Sequence, residues 1–194
     1  MLTPAEHAEL ERLVTTNEEH TEVQCGRYLH HAVKFLVPQA SEVVSHELED
    51  RNHYGSTDFV ISTKIKNDQN DDEVVVYIWE LKAPQCFLLE LDNNKNRCRP
   101  TADFIKAENQ LIHYFHQAKG DDDFRTRFNI MKSDNIKMGG IIIGRSNDRL
   151  IRGDNTTSSR AKAHHSLDIR KSIFYANYQI RVVLWDRILD FVRP

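Results

Sequence analysis

The stretch Val74-Val75-Val76-Tyr77-Ile78-Trp79-Glu80-Leu81-Lys82 decides how the chain is read. Residues 74–81 are almost all apolar, and most are β-branched or aromatic, which predicts a central strand covered on both faces. Pro84 ends it. Successive side chains on a strand point to opposite faces, so Glu80 and Lys82 share one face and Leu81 enters the other layer. Two charges on a buried strand are costly without partners or a task. A divalent cation is a fitting partner for Glu80. Lys82 beside it is suited to holding a water or stabilising a pentacovalent phosphate.

Upstream, Gly55-Ser56-Thr57-Asp58 opens a second predicted strand over 57–64, where Phe59 and Ile61 alternate with Val60 and Ser62. The polar run 66–73 carries Asn67, Asp68, Asn70, Asp71 and Asp72, all turn formers. If 58–65 pairs antiparallel with 74–81, Asp58 lies beside Glu80. Two converging carboxylates suit Mg²⁺, which takes a few carboxylates and completes its shell with water and phosphate oxygens. Such an ion activates water and polarises a phosphate.

Downstream, 101–119 is the clearest helix, with Phe104, Ile105, Leu111, Ile112 and Phe115 as its expected apolar stripe. Gln110 and Tyr114 are four apart and share a face with Ala107. That face is expected to be separate from the stripe.

The rest of the chain frames these elements. An amphipathic helix is expected over 4–16, with Leu10, Leu13 and Val14 inward. A second is expected over 21–36, with Val23, Tyr28, Leu29, Ala32 and Leu36 inward, stopped by Pro38. Residues 41–49 read as a strand, 51–55 as a turn, 92–100 as a polar insertion and 121–133 as a short helix. Residues 137–144 read as a strand, 147–158 as a loop, 159–178 as helix and 180–185 as the last strand. Asp186 is expected to cap a closing helix over 187–192. The order predicts an α/β domain over 1–194 with a mixed central sheet flanked by helices. Its N-terminal helix falls in 1–20 and its core in 21–194.

No run of 18 apolar residues occurs, so no membrane span is expected. The N-terminus lacks the basic start and apolar run of a signal peptide, which points to a cytoplasmic protein. The three cysteines, Cys25, Cys86 and Cys98, are too few and too far apart for a disulfide framework or a cysteine zinc site. The histidine pairs His30-His31, His113/His116 and His164-His165 lack accompanying ligands at zinc spacing. A net charge of −3 argues against nucleic-acid binding through bulk charge alone, although bound cations reverse the local sign at a carboxylate site.

The ordered set Asp58, Glu80-x-Lys82 and Gln110-x-x-x-Tyr114 resembles the PD-(D/E)xK nuclease superfamily with its QxxxY motif. The chain is more closely similar to the Shedu nuclease domain of bacterial defence against phage and plasmids. The similarity runs from about residue 22 to 191. It includes Glu80-Leu81-Lys82-Ala83-Pro84, Gly140-Ile141-Ile142-Ile143-Gly144-Arg145 and Arg181-Val182-Val183-Leu184-Trp185-Asp186. Thr57 stands where the superfamily name implies proline, the least constrained part of the motif.

This resemblance implies a restriction-endonuclease-like core and a Mg²⁺- or Mn²⁺-dependent DNA endonuclease that leaves a 5′-phosphate. It implies that Asp58 and Glu80 hold the metal with Glu22, for which Glu18 and Glu19 are rivals. Lys82 would position water or stabilise the transition state, Gln110 orient the site, and Tyr114 contact phosphate or support the helix. Lys95, Arg97, Arg99 and Arg145 are candidates for DNA-backbone contacts, and a solvated charged loop is an equally good reading of the first three. Self-assembly into a dimer or tetramer would span both strands. Family members vary in their N-terminal regulatory regions, so the chain is expected to be a minimal form or an excised catalytic domain. Two rivals remain open: a module that grips nucleic acid or protein without cutting, and a nuclease directed at RNA.

Overall fold

The apolar run forms β3 (Asp72–Leu81), the middle of five strands. β1 (Glu42–Asn52), β2 (Gly55–Lys66) and β3 are antiparallel neighbours. β3, β6 (Ile136–Ile142) and β8 (Arg181–Val183) are parallel. The sheet is thus mixed, in the order β1-β2-β3-β6-β8. This computed structural model describes residues 1–17, 21–52, 55–92, 97–153 and 155–194, with backbone alone at 49–52 and 55–57.

Alternation along the strands divides the core into two layers. Phe59, Ile61, Tyr77, Trp79 and Leu81 pack with helix α1 (Pro4–Thr15) and helix α7 (Trp185–Phe191). Val60, Val76 and Ile78 point the other way, onto helix α4 (Ala102–Gly120). α1 matches its sequence pattern: Leu10, Leu13 and Val14 are buried. Thr3 and Glu6 close a capping box at its start.

The α4 stripe is a correction. Phe104, Ala107, Leu111 and Ala118 are buried, whereas Ile105 and Ile112 are exposed. Phe104 and Leu111 thus form the contact as expected, and the small residues Ala107 and Ala118 stand in for Ile105 and Ile112. Tyr114 packs against this core too, so the Gln110/Tyr114 side adjoins the buried stripe instead of standing apart from it.

The expected helix over 21–36 is broken into α2 (Glu22–Gly26), a 3₁₀ turn (Leu29–Ala32) and α3 (Val33–Leu36). Gly26 sits at the break. A Cβ there would meet the Leu48 side chain at 3.0 Å, so any larger residue would make that side chain shift. Val23, expected inside, is exposed. Cys25, Leu29, Ala32, Val33 and Leu36 are buried.

A second sheet was not legible as such. β4 (Leu89–Asp92) pairs antiparallel with β5 (Arg97–Pro100) and parallel with β7 (Ile151–Arg152). β5 and β7 fall in the expected insertion and loop, and β4 leads into the insertion. Strands of four, four and two residues are too short to show a period. Helix α5 (Asp122–Arg127) is short as expected. α6 (Thr157–Arg170) continues through a π turn (Lys171–Tyr175) and a 3₁₀ turn (Ala176–Tyr178) before Gln179 ends it at φ 55°. Asp186 does not cap α7. Leu184 holds the N-cap position, and Asp186 accepts from the Ser146 N–H at 2.9 Å and the Ser146 hydroxyl at 2.6 Å.

Candidate active site

The β2–β3 register pairs Phe59 with Trp79, which sets Asp58 and Glu80 at the same end of the two strands. Asp58 Oδ2 accepts the Leu81 N–H at 2.9 Å, locking that carboxylate against the strand end. By alternation with Val60, Val76 and Ile78, Asp58, Glu80 and Lys82 face the α4 layer.

Lys82 lies just past β3 and is held from three sides. Its N–H donates to the Ile142 carbonyl at 2.8 Å, and its own carbonyl accepts the Trp185 indole N–H at 2.7 Å. Its Nζ donates to Glu80 Oε1 at 2.5 Å and to the Leu81 carbonyl at 3.0 Å. Glu80 is 0% exposed and the Lys82 side chain 12%. Glu80 Oε2 is buried without a hydrogen-bond partner.

The electrostatics follow from this burial. Burial first, and the Asp58 charge second, push the Glu80 carboxyl up to about 8, against the opposing pull of Lys82. Burial pulls Lys82 down, but the charges of Glu80, Glu22 and Asp58 outweigh it, so its pKa is raised. Lys82 is therefore a fixed ammonium that donates. Glu80 is a carboxyl that lacks a positive partner for its second oxygen.

That orphaned oxygen beside a second carboxylate fits a hard divalent cation. Mg²⁺ commonly binds through one or two carboxylates and fills its shell with water and phosphate oxygens. Among the described residues, no group of three or more His, Cys, Asp or Glu side chains is gathered closely enough to hold a metal. Glu22, expected as a third ligand, starts α2 near enough for its charge to act on Lys82 and Cys86, but it completes no such group. Its rivals Glu18 and Glu19 lie outside the described residues.

Gln110 and Tyr114 sit on the helix that covers this face. Gln110 Nε2 lies 3.5 Å from the Tyr114 hydroxyl, and Gln110 Oε1 is buried without a partner. Neither side chain hydrogen-bonds Asp58, Glu80 or Lys82. The structure thus brings Asp58, Glu80 and Lys82 together directly and leaves Gln110 and Tyr114 on α4, bonded to each other and not to the three.

The cationic candidates separate sharply. Arg97 and Arg99 are on β5, their side chains mostly exposed, and each meets a carboxylate of β4: Arg97 with Asp92 at 3.2 Å, Arg99 with Glu90 at 2.8 Å. Lys95 lies outside the described residues. Arg145 is only 5% exposed. Its nitrogens bond Asp148, the Val14 and Thr16 carbonyls and Asn17. Every donor is committed inside the protein, so Arg145 clamps α1 to the loop after β6 and is not free to grip DNA.

Sequence reasoning missed two residues that brace the site. Trp185 is one, through the Lys82 carbonyl. Gln85 is the other. Its Oε1 accepts from Thr21, and its Nε2 donates to the Leu13 and Thr16 carbonyls, tying the segment after Lys82 to the end of α1. A lone Gln after a proline carries no signal of such a role.

The comparisons with known proteins agree with the resemblance at family level. The family described as Shedu protein SduA, C-terminal, matches residues 19–189, so the chain belongs to that family. No curated protein and no solved structure matches. Among the described residues, no helix is long and apolar enough to cross a membrane.

Proposed function

From this membership, we propose that the chain is a divalent-metal-dependent endonuclease that hydrolyses DNA phosphodiester bonds in defence against phage or plasmid DNA. The observation that carries the reading is Glu80 Oε2, buried and unpartnered, with Asp58 on one side and Lys82 on the other. A buried carboxyl with a second carboxylate beside it and one oxygen unsatisfied is expensive even with Lys82 on its other oxygen, and the protein retains one at the end of its central strand. The PD-(D/E)xK reading of the core belongs to the same proposal.

Asp58 and Glu80 would hold Mg²⁺ or Mn²⁺. Such an ion, when bound, supplies Lewis acidity toward a phosphate and lowers the pKa of water. The Lys82 ammonium stays protonated and is fixed by Glu80 and the Leu81 carbonyl, so it offers positive charge where a phosphate would gain negative charge. Asp58, pinned by the Leu81 N–H, orients the pair. Gln110 supplies a polar wall with an unused carbonyl oxygen, and Tyr114 supports it. Arg97 and Arg99 are accessible for backbone contacts, and assembly of copies would bring two sites to a duplex.

Incubation with plasmid DNA and Mg²⁺ or Mn²⁺ tests the reading. The parent should nick or linearise DNA, while Glu80→Ala and Lys82→Ala should not. If both variants cut as the parent does, the assignment is wrong. If the parent shifts DNA in a gel but never cuts it, the chain is a binding module. An RNA substrate in parallel tests the choice of nucleic acid.

A further inference from the structure

On the same face of the main sheet as Glu80, a cavity of about 530 Å³ opens between α4 and the end of α6. Ile141, the register partner of Glu80 on β6, forms part of its wall. The volume lies in the range that holds a small organic ligand. Aliphatic side chains of α4 and β6 line its inner part, and aromatic rings line the rest: Phe115 comes from α4, and Phe174, Tyr175 and Tyr178 come from the turns after α6. Phe174 and Tyr178 are each 61% exposed, so two large rings stand open to solvent beside an unfilled space. The π turn Lys171–Tyr175 falls at this point, and such turns gather at functional sites.

The cavity also has a built polar floor. Arg170 donates to both oxygens of Glu108, at 2.7 and 2.6 Å, and the Tyr175 hydroxyl donates to the same carboxylate. Burial, and then the hydrogen bond to Glu108 and its charge, push the Tyr175 hydroxyl up, so it remains a neutral donor. Arg170 Nε and Nη2 are thereby used, while Nη1 makes no hydrogen bond among the described residues. The guanidinium lies 5.5 Å from the Phe174 ring centre. Asn109 lines the cavity with an amide that both donates and accepts.

These features select the ligand chemistry. Glu108 already neutralises Arg170, so the site does not favour an anion. An aliphatic ligand would leave the free guanidinium edge unused. Stacking rings beside an in-plane donor and an amide suit a flat heterocycle with acceptors on its edge. We propose that this cavity binds a nucleobase, stacked on Phe174 or Tyr178 and hydrogen-bonded by Arg170 and Asn109. The base comes either from a free nucleotide or from an unpaired position in a DNA strand. The proposal stands apart from cleavage, since binding needs neither metal nor Glu80.

Calorimetric titration without divalent metal tests it, with AMP, GMP, CMP and dTMP, and with a short single-stranded oligonucleotide and its abasic counterpart. Saturable binding is expected, weakened about tenfold or more in Phe174→Ala/Tyr178→Ala, the scale of one lost base–aromatic stack. Both side chains are exposed, so the variant should melt like the parent. Mononucleotide binding identifies a free ligand. Binding of the oligonucleotide in preference to its abasic form, without mononucleotide binding, identifies a strand base. The proposal is overturned if no probe binds, or if the variant binds as the parent does. It is also overturned if the variant loses self-association while no probe binds, because the cavity is then an interface between copies.

Discussion

The indole N–H of Trp185 donates to the carbonyl of Lys82 at 2.7 Å, joining the last helix to the segment that follows Glu80. The two residues are 103 positions apart in the sequence. Trp185 is fully buried among the α1/α7 core residues, so packing fixes its ring and the ring fixes the Lys82 backbone.

Trp185→Phe should therefore preserve most of the packing while leaving the Lys82 carbonyl unpaired. A loss of about 1–3 kcal/mol in stability is expected from the unsatisfied acceptor. DNA cutting should fall further than the melting temperature explains, because Lys82 loses its anchor. Denaturant melts and plasmid nicking at a temperature where the variant is fully folded measure the two effects separately. Cutting at the parental rate would remove Trp185 from any positioning role.

Glu80 makes a signed prediction for the metal-free protein. Its pKa rises from 4.5, the ordinary value for a solvated glutamate, to about 8 in the fold. A raised carboxyl pKa favours the folded state below about 4.5, and that advantage is lost as pH climbs through about 8. Thermal stability in chelator should therefore decline across this window, and Glu80→Gln should flatten the decline. Melts at a series of pH values measure it, and parallel curves for parent and variant would count against the buried carboxyl.

Metal binding should run the other way. A cation must displace the proton from Glu80, so affinity for Mn²⁺ is expected to strengthen as pH rises toward about 8. Near neutral pH, binding should release close to one proton. Calorimetry in two buffers of different ionisation enthalpy counts it, and a pH-independent affinity would show that Glu80 is not a ligand.

The arginines should separate by kind. Arg145→Ala removes from a nearly buried position a guanidinium that bonds Asp148, Asn17 and the Val14 and Thr16 carbonyls. Arg149 still meets Asp148 and Asn17, and Gln85 still meets the Thr16 carbonyl, so a loss of about 1–3 kcal/mol is expected. Arg97→Ala/Arg99→Ala breaks only exposed ion pairs, worth about 0–1 kcal/mol each. If these two grip DNA, the double variant should bind it more weakly, with a salt slope reduced by about 2. Urea melts and binding at several salt concentrations give both readouts.

The central sheet was legible because a long apolar run can hide only on a strand covered from both sides. Asp58, Glu80 and Lys82 could be aligned for the same reason: a period of two, a polar loop and antiparallel pairing leave little freedom. α4 was legible as a helix and its inward face in part: Phe104, Leu111 and Phe115 lie against the core as expected. Ala107 and Ala118 complete the contact, whereas a search for large apolar side chains also selects Ile105 and Ile112, which lie outside. The β4-β5-β7 sheet escaped notice because strands of two to four residues show no period, and their pairing is a long-range choice.

By itself, then, the sequence determined the strand that carries Glu80 and Lys82, the family, and the chemistry those side chains can offer, since local periodicity and residue type are properties of a short stretch. Only the tertiary structure decided that Glu80 Oε2 stays unpartnered, that Trp185 and Gln85 brace the site, that Arg145 is a clamp, and that Glu22 joins no three-ligand group among the described residues. Those are relations between segments far apart in the chain. Burial, and the electrostatics that follow from it, exist only once the layers have closed.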